Sequence, residues 1–332
     1  MEFFEKLISN EVLYSAVYLT VKGKDDNKYA QLLKLDIDNK VNELRTMLCD
    51  KTFVPSKFLR FVKKGKKKDR KISAQKMFPD AVLNQALKLV VSPVVMKKLT
   101  KRTYSCIKGR GIKSCADYLK SIIQDEEITR WCLKFDIRHF YESIDHEILL
   151  FKLREIFGND EEFMFVLESI VRSHKGVPLG TPLSPIFADV MLCDFDKFVM
   201  RKKKHKRYSR YADDVVVFAK TKEELNNLLV DIKKQFCELN LCLKGNEQIF
   251  PVSENRYDKI GRGVDIVGVV FHHKQTRMRK SIKKSFAKKV KHLENCEDVK
   301  KYKNSLSSWY GWSLMTDARH LRKCIGLRNF EK

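Results

Sequence analysis

The sequence predicts an α+β fold: an antiparallel sheet backed by helices, with helical segments before and after it. Three observations carry that expectation. Short runs rich in β-branched and aromatic residues, "TRWCLKFDI" and "DDVVVFA", read as buried strands. Longer stretches around them repeat apolar residues at helical spacing. In the centre the two kinds follow one another as strand, helix, strand, strand, helix, strand, which suits a sheet with helices on one face. At 332 residues, 43% hydrophobic and 33% charged, the chain is globular and long enough for one multi-lobed domain or two ordinary ones.

Taken in order, Glu11 to about Leu48 reads as mainly helical, with Leu32, Leu33, Ile37, Val41 and Leu44 at helical spacing. Lys51–Ser73 holds strand-like pieces joined at the basic turn "KKGKKKD". "DAVLNQALKLVVSPVVMKKL" is a second long helix with Asp80 as its N-cap. A glycine-bearing loop from Lys108 becomes a helix ahead of the strand that ends at Ile137. Asp145 caps the helix "HEILLFKLREIF". "GVPLGTPLSP", Gly176–Pro185, can only be a loop, because its Pro and Gly break both periods. The amphipathic helix "IFADVMLCDFDKFVM" follows it, then a hairpin carrying Asp213 and Asp214. Next come a helix at Lys222–Leu239 and a strand pair, "LCLKGNEQIF" with "DIVGVVFH". From Lys280 onward the chain reads as helical.

A formal net charge of +25 implies a polyanionic partner, nucleic acid first and an anionic membrane surface second. The basic residues fall in three runs: "RFVKKGKKKDRK" from Arg60, "RKKKHKRYSR" from Arg201 and "RKSIKKSFAKKVKHL" from Arg279. In the third, Ile282, Phe286 and Val290 form an apolar stripe opposite a basic face. One charge run is by itself a solvated face. Three together, with Tyr208 and Tyr211 nearby, point to phosphate-backbone binding. The candidates are Lys63, Lys64 and Lys66, then Arg201, Lys202 and Lys203, then Lys283, Lys284 and Lys288. No apolar run approaches the roughly 20 residues that a bilayer span needs, and the acidic start is unlike a secretory leader. Nine cysteines without a CxxC pair indicate neither a zinc site nor a disulfide framework, so a reduced, cytoplasmic compartment is expected.

Asp213 and Asp214 open one apolar run, and Asp136 closes another. Two like charges at 4 Å repel by about 1 kcal/mol in water and more where water is excluded. A solvated turn would tolerate the pair; a divalent cation would offset it, since Mg²⁺ prefers hard oxygen ligands. A two-metal site needs carboxylates from at least two strands, holding ions roughly 3.5–4 Å apart. His272 and His273 lack ligand spacing and read as strand-end or nucleic-acid-facing residues. Trp309 and Trp312 either pack the C-terminal helices or stack on a base.

With Asp136, the Gly/Pro/Ser loop and Asp213-Asp214 in that order, the chain resembles reverse transcriptases over nearly its whole length. The resemblance implies a right-hand polymerase with an antiparallel palm sheet backed by helices. N-terminal helices and fingers would fill residues 1–125, the palm 126–275 with a fingers/palm loop at 172–186, and a helical thumb 276–332. "FDIRHFYESID" resembles the first palm motif, which implies that Asp136 ligates both metal ions and the Ile137 carbonyl one of them. "YADD" resembles the second, making Asp213 a ligand and Asp214 a weaker or conditional one. Tyr141 falls where these enzymes place an aromatic gate against a ribose 2′-hydroxyl, although the residue alone also reads as core. "KKDRKI" places Lys68 and Arg70 on the incoming triphosphate, a task that the planar Arg fork suits. "GVPLGTPLSP" resembles the loop supporting the templating base and incoming nucleotide, with Leu179, Gly180 and Ser184 in it. Lys244 in "LCLKGN" is the implied general acid for pyrophosphate, or else a solvated turn lysine. "DIVGVVF" resembles the primer-grip hairpin. The implied activity is RNA-directed DNA polymerisation with two Mg²⁺ ions, Mn²⁺ being a substitute. The implied partners are an RNA template, a primer or cDNA strand, dNTPs and a cognate noncoding RNA, with an accessory protein left open and no membrane.

Within the family, "YSCIKGRGIKS", "KGNEQIFPV" and "RKSIKKSFAKKV" resemble the bacterial enzymes of diversity-generating retroelements. Leu179 stands where many relatives have Gln, the pattern of the mutagenic enzymes; an apolar side chain cannot hydrogen-bond a nucleotide. The loop ends in Ser184-Pro185, however, as in group II intron and retron enzymes, where the mutagenic group has Ser-Gln. A retron-like or phage-defence enzyme, or a non-catalytic RNA-binding protein, stays open beside it.

Overall fold

The computed structural model describes residues 2–63, 70–158, 160–293 and 299–324. The chain divides into two compact units.

The first unit comprises Met1–Thr100, Ile137–Lys197 and Lys233–Leu243. The N-terminal stretch forms α1 (Phe3–Leu7), α2 (Asn10–Val21), α3 (Lys28–Leu35) and α4 (Ile37–Cys49). Local chemistry divides them: Ser9 and Asn27 accept from the amides of Val12 and Ala30 and so start α2 and α3. An antiparallel hairpin, β1 (Leu59–Lys63) with β2 (Arg70–Ala74), pairs Lys63 with Arg70 at its tip. The long helix α5 (Val82–Lys98) packs on α2 and buries Val82, Leu83, Leu87 and Val91. Asp80 is not its N-cap. The chain enters through a π-helical turn at Met77–Ala81, and α5 starts behind Ala81 with no side-chain cap. Asp80 is fully buried, and its Oδ1 accepts instead from the Ser56 amide at 2.8 Å and Gln75 Nε2 at 3.3 Å. A buried carboxylate needs donors, and these outweigh a solvated cap. The unit continues in α7 (Phe140–Ser143), α8 (His146–Phe157), α9 (Glu161–Arg172) and α10 (Ser184–Lys197). Asp145 caps α8 as the sequence predicts, accepting from the Glu147 and Ile148 amides. Asp160 caps α9 and also takes the Phe4 amide at 2.7 Å, which pins α1.

The second unit comprises Lys101–Asp136, Phe198–Ile232 and Lys244–Lys332. Its centre is a five-stranded sheet of β3 (Thr103–Tyr104), β4 (Trp131–Asp136), β5 (Tyr208–Tyr211), β6 (Asp214–Ala219) and β7 (Gln248–Pro251). The order is β3-β5-β6-β4-β7, antiparallel throughout except for the short β3–β5 pair. Residues 215–218 are all buried, as befits a central strand. Helix α6 (Ile112–Ile123) covers one face, where Cys115, Leu119 and Ile123 meet Cys132, Val216 and Phe218. The C-terminal pieces differ from the expected strand pair. "DIVGVVFH" breaks into β8 (Val264–Ile266) and β9 (Val269–Phe271), which with β10 (Thr276–Met278) make a separate sheet. "LCLKGNEQIF" supplies only β7, which pairs with β4. The cause is the two-residue turn Val267-Gly268, whose φ values of +48° and +85° fold the segment on itself. Helix α11 (Lys222–Glu238) runs from the second unit into the first; α12 (Lys280–Leu293), α13 (Val299–Leu314) and α14 (Arg319–Cys324) close the chain. Among the described residues, no helix is long and apolar enough to cross a membrane.

Candidate active site

The site grows from one register. In β4 alternate residues share a face, so Cys132, Lys134 and Asp136 point the same way. The β4–β6 ladder sets Asp136 directly opposite Asp214, and Cys132 opposite Phe218. The face that buries its apolar half under α6 therefore ends in two opposed carboxylates. Directly opposed like charges destabilise a sheet. Asp213 joins them from the β5–β6 turn, where Tyr211 pairs with Asp214 and only Ala212 and Asp213 lie between. Ala212 takes φ +55°, a left-handed conformation that such a tight connection demands.

The chain's own cations hold two of the three. Asp136 Oδ2 accepts from Lys244 Nζ at 3.0 Å and Asn246 Nδ2 at 3.1 Å, while the Lys244 amide donates to the Asp136 carbonyl. Lys134 Nζ lies 2.8 Å from Asp214 Oδ1 and donates to Oδ2 at 3.2 Å. Oδ1, although buried, accepts no hydrogen bond. Burial pushes the Asp214 carboxyl up to about 6; Lys134 opposes this, and Asp136 and Asp213 add to it. Burial also raises Asp213, with Asp136 contributing. For Asp136 burial acts in the same direction but is outweighed by Asn246 and Lys244, which hold it below the usual carboxylate range. Among the described residues, no three His, Cys, Asp or Glu side chains converge as a ready metal cage. The donor set nonetheless suits a hard divalent ion: three carboxylates, two of them with burial prevailing against their charge, and one with a buried oxygen that accepts no hydrogen bond.

Of the residues expected at the nucleotide, Lys244 belongs to the second unit with the carboxylates, and the others fall in the first. Lys64, Lys66 and Lys68 lie outside the described residues, and Lys63 and Arg70 end the strands on either side. Tyr141 is half-buried, and its carbonyl accepts from the Val177 amide at 2.7 Å, tying α7 to the start of the 176–185 loop. At Gly176, φ is +62° and a Cβ would stand 2.5 Å from that carbonyl, so the approach needs glycine. Leu179 is 38% exposed, and its carbonyl accepts from the Ser73 amide of β2 at 3.1 Å. Gly180, at φ +123°, would put a Cβ 2.9 Å from the Ser73 carbonyl. Ser184 is buried at the start of α10, bonded to the Thr181 hydroxyl at 2.6 Å and to the Pro178 carbonyl. A cleft of about 570 Å³ is lined by Phe61, Val62, Ser73, Glu142, His174 and Leu179, among others. Ile137, which follows Asp136, is buried and bridged to Leu243.

Of the basic candidates, Arg201, Lys203, Lys283, Lys284 and Lys288 are exposed, with Lys284 and Lys288 opposite Phe286 and Lys283 flanking the apolar stripe on α12. Lys203 is paired with Asp231 at 2.6 Å, and the Lys202 side chain lies outside the description. Arg210, last in the second run, does not face phosphate: it is fully buried and donates to the Ala212 carbonyl at 3.1 Å. The two histidines are not nucleic-acid-facing either. His272 is buried against Ser253 Oγ at 2.7 Å, and His273 against the Ile123 carbonyl at 2.8 Å. Trp312 packs, donating to the Val267 carbonyl at 3.1 Å, and Trp309 stacks on Phe286. The sequence reading missed Lys134, Asn246, Asp265 and Arg279. Lys134 was within reach of it, since a residue two before Asp136 in a strand must share its face.

The sequence matches the family "Reverse transcriptase (RNA-dependent DNA polymerase)" over residues 62–246, more than half of the chain. The group II intron-encoded protein LtrA of Lactococcus lactis subsp. cremoris is 24% identical over 178 residues, which is 50% of this chain and 29% of that protein. The retron Ec73 reverse transcriptase of Escherichia coli is 26% identical over 162 residues, 45% of this chain and 50% of that one. The chain thus spans half or less of the length of these relatives. Telomerase from Candida tropicalis, solved with a fragment of telomeric RNA, shares the fold with a TM-score of 0.51 at 10% identity, over 82% of this chain and 56% of that one.

Proposed function

The chain belongs to the reverse transcriptase (RNA-dependent DNA polymerase) family, and from that premise we propose that it copies a cognate RNA into cDNA by nucleotidyl transfer. The observation that carries this reading is the register of Asp136 opposite Asp214 beside a two-residue turn bearing Asp213. Asp136, the Ile137 carbonyl, Asp213 and Asp214 would hold two Mg²⁺ ions. When bound, these ions would make the primer 3′-hydroxyl a stronger nucleophile and neutralise charge on the α-phosphate and leaving pyrophosphate.

The protein's own residues bind, orient and move protons. Lys244 holds Asp136 before the ion arrives and, once released, protonates pyrophosphate. Lys68 and Arg70 grip the triphosphate, and Tyr141 blocks a 2′-hydroxyl. Leu179 and Gly180 carry the nucleotide on a loop tied to β2, and Ser184 braces that loop from within. The basic residues at 63–66, 201–203 and 283–288 hold the phosphate backbone of template and primer. In these terms residues 1–125 act as fingers, 126–275 as palm and 276–332 as thumb. The names of the two curated relatives favour a retroelement setting, and Ser184-Pro185 favours intron- or retron-type copying. Leu179, offering no hydrogen bond, favours relaxed fidelity of the diversity-generating kind.

Primer extension with dNTPs on an RNA template tests the reading against the Asp213→Ala, Asp214→Ala double variant. Incorporation should fall by at least about a thousandfold in the variant. Equal incorporation would end the catalytic reading. RNA binding without incorporation by either protein would favour an assembly role.

A further inference from the structure

Lys134 belongs to no motif invoked above, yet it is the most constrained cation at the carboxylates. Its side chain is 23% exposed, against 55% for Lys244. It leaves β4 on the face of Asp136 and meets Asp214 at 2.8 and 3.2 Å. Its Nζ also donates to the backbone carbonyl of Asp265 in β8. Asp265 is itself fixed: its Oδ1 accepts from Arg279 Nε at 2.6 Å, and the Arg279 amide donates to the Gly268 carbonyl. The ammonium therefore bridges the Asp265 carbonyl, whose own residue is held by Arg279, and a carboxylate oxygen of Asp214.

Lys244 can swing away from Asp136 into solvent. Lys134 is held from two sides, so Asp214 shares its charge with a resident cation until that contact is broken. We propose that Lys134 is a positioning residue that reserves Asp214, holding it towards the β8–β9 sheet and lowering the affinity of the cluster for divalent ions. Asp136 and Asp213 take the first ion, and Asp214 joins only when its contact with Lys134 yields. This inference rests on the reading of the three carboxylates as divalent-ion ligands.

The test is Mn²⁺ binding to the full chain without nucleotide, read by paramagnetic resonance of free Mn²⁺, with folding checked by circular dichroism. Lys134→Met should raise Mn²⁺ affinity by about tenfold, because Asp214 is then released to the ion as a further carboxylate ligand. Lys134→Arg, which keeps the charge, should stay within about threefold of the wild type. In an Asp214→Asn background, Lys134→Met should change affinity by less than about threefold, because the partner through which it acts is absent. Should Lys134→Met fail to fold, Lys134→Gln removes the charge while keeping a donor for the Asp265 carbonyl, with the same gain expected. Wild-type affinity in every folded charge-removing variant overturns the role of Lys134, as does an undiminished gain in the Asp214→Asn background. Failure of the wild type to bind Mn²⁺, or binding unchanged by Asp213→Asn, overturns the ligand reading itself.

Discussion

Asp214 concentrates the physics of this site in one residue. Its carboxyl sits at about 6 because burial disfavours the charge, well above the ordinary range near 4. A folded-state value above the unfolded one means stability that is fully present below about pH 4 and lost as pH rises through about 6. Without divalent ions, urea unfolding of the wild type against Asp214→Asn should show the variant gaining on the wild type between those limits. The gain should reach about 3 kcal/mol, from roughly two units at 1.36 kcal/mol each. A difference that stays flat with pH would contradict it. Tyr141→Ala should relax exclusion of ribonucleotides by on the order of tenfold or more, scored as the dNTP/rNTP ratio of kcat/KM; an unchanged ratio removes the gate. Leu179→Gln should alter misincorporation, scored by sequencing the cDNA, and an identical error spectrum would sever Leu179 from fidelity. At this scale much was legible. Asp136, Asp213 and Asp214 stand out because carboxylates at the ends of apolar runs need a reason. Asp80 was misread as a cap, and for His272 and His273 the strand-end reading holds while the nucleic-acid-facing one does not; their partners, Ser56, Ser253 and Ile123, lie 19 to 150 residues away in sequence.

Among the elements, two tight hairpins set the geometry. The β5–β6 turn carries Asp213 on a strained Ala212, and the β8–β9 turn carries Val267, a β-branched residue at φ +48°. The second turn is held by the Trp312 indole on the Val267 carbonyl. A Cβ at Gly268 would stand 2.6 Å from Ile282 Cδ1 and 2.9 Å from Trp312 Nε1, at a φ of +85°. Gly268→Ala should therefore destabilise the second unit by about 2–4 kcal/mol, summing overpacking and left-handed strain. A loss below about 1 kcal/mol in denaturant unfolding would show that α12 and α13 give way. Strands β4 and β6 could be read from their apolar runs. The pairing of β7 with β4 could not, because a four-residue strand carries too little pattern to name its neighbour. Helix α10 was legible except for its start, since Ser184 and Pro185 look like loop and fold as a first turn.

For the whole molecule, the charge of +25 makes the proposed RNA partner testable through salt. Affinity should fall by about a hundredfold or more between about 50 and about 200 mM salt, as released counterions are replaced. Filter binding across that range would show it, and a flat profile would return the basic runs to the role of solvated faces. The α+β class followed from the order of elements, because alternating periods leave few architectures. The division into two units was not legible: each gathers segments far apart in sequence, which only the folded contacts bring together. The central claim is that the carboxylates of β4 and the β5–β6 turn bind divalent ions for nucleotidyl transfer. Its most direct test is a crystal of the protein with Mn²⁺, primer-template and a non-hydrolysable dNTP. The account predicts anomalous density bounded by Asp136 and Asp213, with the α-phosphate beside it. Mn²⁺ bound elsewhere, with those two side chains still turned to lysines or solvent, would contradict it.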